Sequence, residues 1–180
     1  PTTMNFRTLS VRADSFKEET RSVEAVISTE NPVSMPDWER MEMVPEVLLS
    51  SGVQMPARNQ MPFLDSHQRR TVKDQLGSAR NLKTDNRELV GTLVFRKAKD
   101  AEEALDGVRD GHITDVSVGY DILETVYVPR NETQTIDGQE FTGPVNVRTK
   151  WKPREVSLTP IGADDQAKLR GLDPTTVKFD

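Results

Sequence analysis

Asp115-Val116-Ser117-Val118-Gly119-Tyr120-Asp121-Ile122-Leu123 alternates polar or small residues with β-branched, aliphatic or aromatic ones, the two-residue period of a strand with one face on a core. Just upstream, Asp100 with Glu103 three residues on predicts an N-cap and capping box. Ala101, Ala104, Leu105 and Val108 share one helical face, and Gly111 supplies a stop. A helix that delivers a strand is therefore the unit around residue 117. Working backwards, Glu88 to Phe95, Asp74 to Leu82 and Met61 to Leu64 predict strands, with Thr84-Asp85-Asn86 as a turn between two of them, which together read as a meander. Phe6 to Val11 and Val23 to Ile27 predict a strand pair around a polar turn. Between these blocks, Pro32, Pro36, Pro45, Pro56 and Pro62 mark residues 30 to 62 as mostly loop, with one short helix beginning at Pro45.

Working forwards, Asp137-Gly138 predicts a hairpin, Val145-Asn146-Val147 and Trp151 to Thr159 predict two further strands, and Asp164 caps a final helix. The count of elements gives an α+β fold: a mostly antiparallel β-barrel or strongly curved sheet flanked by two or three helices. The expected boundaries are one domain over 1–172 and a C-terminal tail over 173–180, since the last residues have little to pack.

The bulk numbers narrow the function classes. At 180 residues the chain suits a single core. No stretch approaches the roughly 20 apolar residues of a membrane span, and Pro1-Thr2-Thr3-Met4-Asn5 has neither the basic start nor the apolar run of a secretion signal, so a cytoplasm-like compartment is expected. With no cysteine, disulfides, thiolate metal sites and a cysteine nucleophile drop out together. A net charge of -5 favours protein or peptide partners over nucleic acid or an anionic membrane. The run His67-Gln68-Arg69-Arg70-Thr71-Val72-Lys73 lacks aromatic interleaving and reads as a solvated loop rather than a nucleic-acid contact.

Any imidazole base must be His67 or His112. His67 stands where the apolar Phe63-Leu64 runs into a polar loop, a place where a side chain is both held and reachable, although a lone loop histidine usually has no special role. His112 follows the helix stop, where an imidazolium interacts favourably with the carbonyl end of a helix. The two lack the i, i+4 spacing of a zinc helix, and no metal or cofactor is expected. Ser117 lies in a segment superficially like a nucleophile elbow, but the first glycine is missing and the chain runs from helix into strand. Alone it reads as an ordinary strand serine. Ser157 is a weaker nucleophile candidate, two positions after Glu155 and on the same sheet face.

What promotes these residues is their order. Asp65-Ser66-His67, Gln75-Leu76-Gly77, an apolar strand, the helix, Thr114 to Tyr120, and Pro153-Arg154-Glu155-Val156-Ser157-Leu158-Thr159-Pro160-Ile161-Gly162-Ala163-Asp164 with Ala167 form an ordered set. Over about residues 20 to 170 it resembles the HK97-type bacteriophage prohead maturation protease family. The resemblance implies a fold similar to the herpesvirus assembly proteases. It also implies a serine endopeptidase that cleaves scaffold and major capsid proteins, and itself, inside the immature shell in the host cytoplasm. By position it implies Ser117 as nucleophile, His67 as general base and Glu155 as the group that orients the imidazole. Glu155 has a plainer alternative as an edge-strand glutamate paired with an arginine, and Arg154 is equally an oxyanion-stabilising charge or a solvated residue. A homodimer follows only by the same analogy. The competing expectation is a non-catalytic capsid-assembly or scaffold domain with the same fold. The segments Pro129 to Pro144 and Val33 to Pro56 depart from the family pattern. The start at Pro1, and the end without the scaffold-like extension or capsid fusion that some such proteases carry, read as an excised domain or a processed product.

Overall fold

The computed structural model describes residues 4–160. The helix expected from Asp164 and the C-terminal tail lie outside the described residues. In chain order the elements are β1 (Asn5–Lys17), β2 (Ser22–Thr29), β3 (Val33–Asp37), β4 (Glu42–Leu48), β5 (Gln60–Asp65), β6 (Gln75–Asp85), β7 (Glu88–Phe95), α1 (Lys99–Arg109), β8 (Asp115–Val128), β9 (Thr133–Ile136), β10 (Gln139–Thr142) and β11 (Val145–Thr159), with three single 3-10 turns. Nine strands form one sheet in the order β3-β4-β11-β5-β6-β7-β2-β1-β8, and β9 and β10 form a separate hairpin.

The expected barrel or curved sheet flanked by two or three helices is corrected by this arrangement. Among the described residues there is one α-helix, and the protein is mostly β. β8 pairs with both β1 and β11, while β3 and β4 leave the sheet as a two-stranded extension from β11. Most neighbouring strands are antiparallel, while β11 runs parallel to both β4 and β5. The reason is that β11 is a single strand of 15 residues and not the two short ones expected. Pro153 is absorbed by a shift of register between Pro153 and Glu155. That length lets one edge pair with β8 while the other serves β4 and then β5.

Residues 30 to 62 also differ from the expected loop, and no helix begins at Pro45. Pro36 sits on β3, an edge strand, and Pro45 precedes the short β4–β11 ladder of Glu46, Val47 and Leu48, positions where a missing N–H is tolerated. Elsewhere the patterns hold. The β6–β7 turn is made by Asn86 and Arg87, both with positive φ (47° and 62°), one residue further on than the turn signal. Asp137 and Gly138 (φ 50° and 74°) make the expected hairpin turn.

The main core gathers Val116, Val118 and Tyr120 of β8 against Trp151, Val156 and Leu158 of β11, and Ala101, Leu105 and Val108 of α1. The amphipathic reading of α1 is thus correct for its apolar face. Its N-terminus differs: Ala98 is the N-cap without a side-chain bond, and the Asp100 carboxylate bonds Arg96 at 2.7 Å instead.

Candidate active site

On β8, Val116, Val118 and Tyr120 face the core, so the alternation puts Ser117 and Gly119 on the opposite face. Across β11 the partners are Ser157 opposite Ser117 and Glu155 opposite Gly119, with no register shift between these pairs. Cross-strand partners share a face, so Ser117, Gly119, Glu155 and Ser157 occupy one patch outside the core.

His67 reaches the same patch from the end of β5, which runs parallel to β11 through Leu64↔Ser157 and Asp65↔Leu158. The Ser66 N–H then donates to the Leu158 carbonyl at 3.0 Å, and Gln68 N–H donates back to Asp65 at 2.8 Å. Within this turn Ser66 and His67 both adopt the left-handed region (φ 46° and 59°), which residues with a Cβ adopt at a cost. The turn brings the imidazole over β11, where Nδ1 lies 2.5 Å from Glu155 Oε1.

Each partner in that contact is held from elsewhere. Glu155 Oε2 accepts from the Ser157 hydroxyl at 2.8 Å, and the same hydroxyl accepts the His67 backbone N–H at 2.9 Å. Phe6 of β1, paired with Gly119, packs against the imidazole with ring centroids 4.1 Å apart and the planes tilted by 49°. Gly119 has no Cβ because one there would stand 2.5 Å from Glu155 Oε1 and 2.7 Å from Met4 Sδ. The Glu155 side chain is 5% exposed and that of His67 23%, so the carboxylate is buried beneath an imidazole that solvent still reaches.

Of the three residues singled out, the structure therefore brings His67 and Glu155 into direct contact. Ser117 is placed on their face, 3% exposed, but its hydroxyl makes no hydrogen bond to His67. Catalytic hydrogen bonds are often long before substrate binds and tighten with it. Glu155 is not an edge-strand residue paired with arginine: β11 lies between β8 and β5 here, and the carboxylate's partners are His67 and Ser157. Arg154 pairs with Asp121 of β8 at 3.5 Å. His112 is exposed beyond α1, with its backbone N–H bonded to the Gly107 carbonyl. Sequence reasoning missed the double use of Ser157 and the cover provided by Phe6. The one signal for the first was its spacing, two residues from Glu155.

Over 121 residues, 66% of this chain, the sequence is 32% identical to the major capsid protein of Halomonas phage phiHAP-1. The match covers 19% of that protein, so the chain spans about a fifth of the length of this curated relative. The similarity ties the chain to phage capsids. No protein-family model matches the chain, and no solved structure matches it significantly.

Below the patch, a second polar cluster ties β1, β4, β8 and β11 together. The Tyr120 hydroxyl donates to Glu46 Oε1, Arg148 donates to Glu46 Oε2 at 2.7 Å, and Arg7 donates to the carbonyl oxygens of Glu46, Thr29 and Asn31. Burial, and then the adjacent Glu46 carboxylate, push the Tyr120 phenol well above its usual range. It stays protonated as a donor. This cluster fixes the β8–β11 pair that carries Ser117 and Glu155.

Proposed function

We propose that this chain is a serine endopeptidase acting on phage capsid and scaffold proteins as the immature shell matures, with Ser117 as nucleophile, His67 as general base and Glu155 orienting the base. The observation that carries this reading is the 2.5 Å contact between His67 Nδ1 and the buried Glu155, made on the sheet face where Ser117 also stands. A carboxylate at Nδ1 fixes the proton on that nitrogen and leaves Nε2 as the lone-pair nitrogen. During attack, Nε2 takes the Ser117 proton as Oγ bonds to the peptide carbonyl carbon, and Glu155 stabilises the imidazolium that forms. The imidazolium then returns that proton to the leaving amine as the C–N bond breaks. Water hydrolyses the acyl-serine by the same route. The kinship with a capsid protein supplies the setting: some prohead proteases are joined to capsid protein in one chain, and a match confined to 19% of a capsid protein fits such a segment. The place of action in this reading is the interior of the prohead.

A second reading, a capsid-assembly domain without chemistry, is favoured by the relative's own name and by the missing Ser117–His67 hydrogen bond. Co-expression with the cognate capsid precursor, followed by intact-mass analysis of wild type, Ser117→Ala and His67→Ala, separates the two. Cleavage by wild type alone is the expected result. Continued cleavage by Ser117→Ala would falsify the nucleophile assignment, and an uncleaved precursor with wild type selects the assembly reading.

A further inference from the structure

We infer that Ser157 is a positioning residue for the His67–Glu155 pair, an inference that rests on the peptidase reading above. Its side chain is fully buried, and its one hydroxyl is used twice, both times on that pair. The hydroxyl proton goes to Glu155 Oε2 (2.8 Å), which turns the other carboxylate oxygen toward Nδ1. The oxygen lone pair accepts the His67 backbone N–H (2.9 Å), which holds the left-handed residue that carries the imidazole. One side chain thus fixes the distance between the base, coming from the turn after β5, and the carboxylate on β11. Gly119 opposite Glu155 leaves room for the carboxylate but gives it no bond, so Ser157 is the polar group that selects its rotamer. Ser157 is also the cross-strand partner of Ser117, which puts the clamp in direct register with the nucleophile strand.

The test uses the full chain and a fluorophosphonate, whose phosphorus bonds to a nucleophilic Ser117 Oγ as fluoride leaves and the hydroxyl proton passes to His67. The rate of labelling is followed by intact mass, with Ser117→Ala as the blank. Ser157→Ala is expected to label about 10- to 100-fold more slowly, the effect of losing a hydrogen bond to a charged group, while it still unfolds cooperatively with a melting temperature lowered by about 3 to 12 °C. Ser157→Thr, which keeps the hydroxyl, restores most of the rate. Ser157→Cys keeps the size and weakens the donor, so it carries the same expectation as Ser157→Ala should that variant fold poorly. Because one of its two bonds acts through Glu155 and the other through the His67 backbone, Ser157→Ala is expected to slow labelling by a smaller factor in the Glu155→Gln background than in the wild type. Wild-type labelling rates in Ser157→Ala and Ser157→Cys, or an undiminished effect in the Glu155→Gln background, overturn the clamp and leave the peptidase reading standing. Absence of label at Ser117 in wild type removes the peptidase reading and the clamp with it.

Discussion

Gly119→Ala tests the geometry of the patch with a single methyl group. Its Cβ would stand 2.5 Å from Glu155 Oε1 and 3.1 Å from Glu155 Cδ, whereas ordinary contact begins at 3.4 Å. The carboxylate must therefore retreat by about 0.9 Å, and a shift of that size takes its 2.5 Å contact with His67 Nδ1 to the limit of hydrogen bonding. The atom struck is the end of a flexible side chain, so the fold itself can survive. The cost is a charge-assisted hydrogen bond of about 1.5–3 kcal/mol, partly offset by about 0.4–1 kcal/mol from the less flexible unfolded chain. Net destabilisation of about 1–2 kcal/mol is expected, together with loss of the downfield Nδ1–H proton signal of His67 in NMR spectra and a fall of about 10- to 100-fold in Ser117 labelling. If the variant keeps both the proton signal and the labelling rate, Gly119 is not there to make room for Glu155, and the contact does not position the base.

Gly77→Ala makes the opposite case: its Cβ would lie 1.8 Å from the Val94 carbonyl oxygen in the neighbouring strand, where backbone must move. A loss of at least about 3 kcal/mol in denaturant unfolding is expected, and a variant as stable as wild type would contradict the β6–β7 register. Asp37 supplies a pH test. The Asn146 side-chain amide first, with Arg40 assisting, holds its carboxyl at about 2, below the ordinary 3.8. The folded value is the lower one, so its contribution is present above pH 3.8 and disappears as pH falls through about 2. Denaturant midpoints for wild type and Asp37→Asn should differ most at pH 5 and converge toward pH 2; a gap independent of pH would rule out the ionised carboxylate as its source.

Local sequence pattern carries much of this molecule. The two-residue alternation through Ser117 places it correctly on the face away from Val116 and Val118, and the spacing of Ala101, Leu105 and Val108 identifies the buried side of α1. What escaped were features set by distant partners. Pro36 and Pro45 argue against strands when counted along the chain, yet β3 is an edge and Pro45 precedes the ladder to β11, so neither proline disrupts that ladder. Pro153 divided one strand into two in the sequence because a register shift is invisible without the partner strand. The order of motifs pointed to His67 and Glu155 together, 88 positions apart, but not to how they meet. That depends on the parallel β5–β11 pairing and two left-handed residues, for which the sequence carries no glycine signal.

The turn that carries His67 is held against a conformational cost. Ser66 and His67 in left-handed conformations cost roughly 1–3 kcal/mol each, and strain of this kind persists only where surrounding bonds over-determine it. Here those bonds are the Ser66 N–H to Leu158, the His67 N–H to Ser157, and the imidazole to Glu155. A buried carboxylate adds a desolvation cost of its own, which its hydrogen bonds with His67 and Ser157 offset. The main core lies on the other face of β8 and β11, so these bonds tie the turn after β5 to β11 from outside it. The same arrangement has a direct use in acyl transfer: it presents an imidazole to solvent with its tautomer fixed, on the face that holds a serine. The strained turn and the buried carboxylate are the features that the proposed chemistry would use, while the similarity to a capsid protein ties the chain to phage capsids.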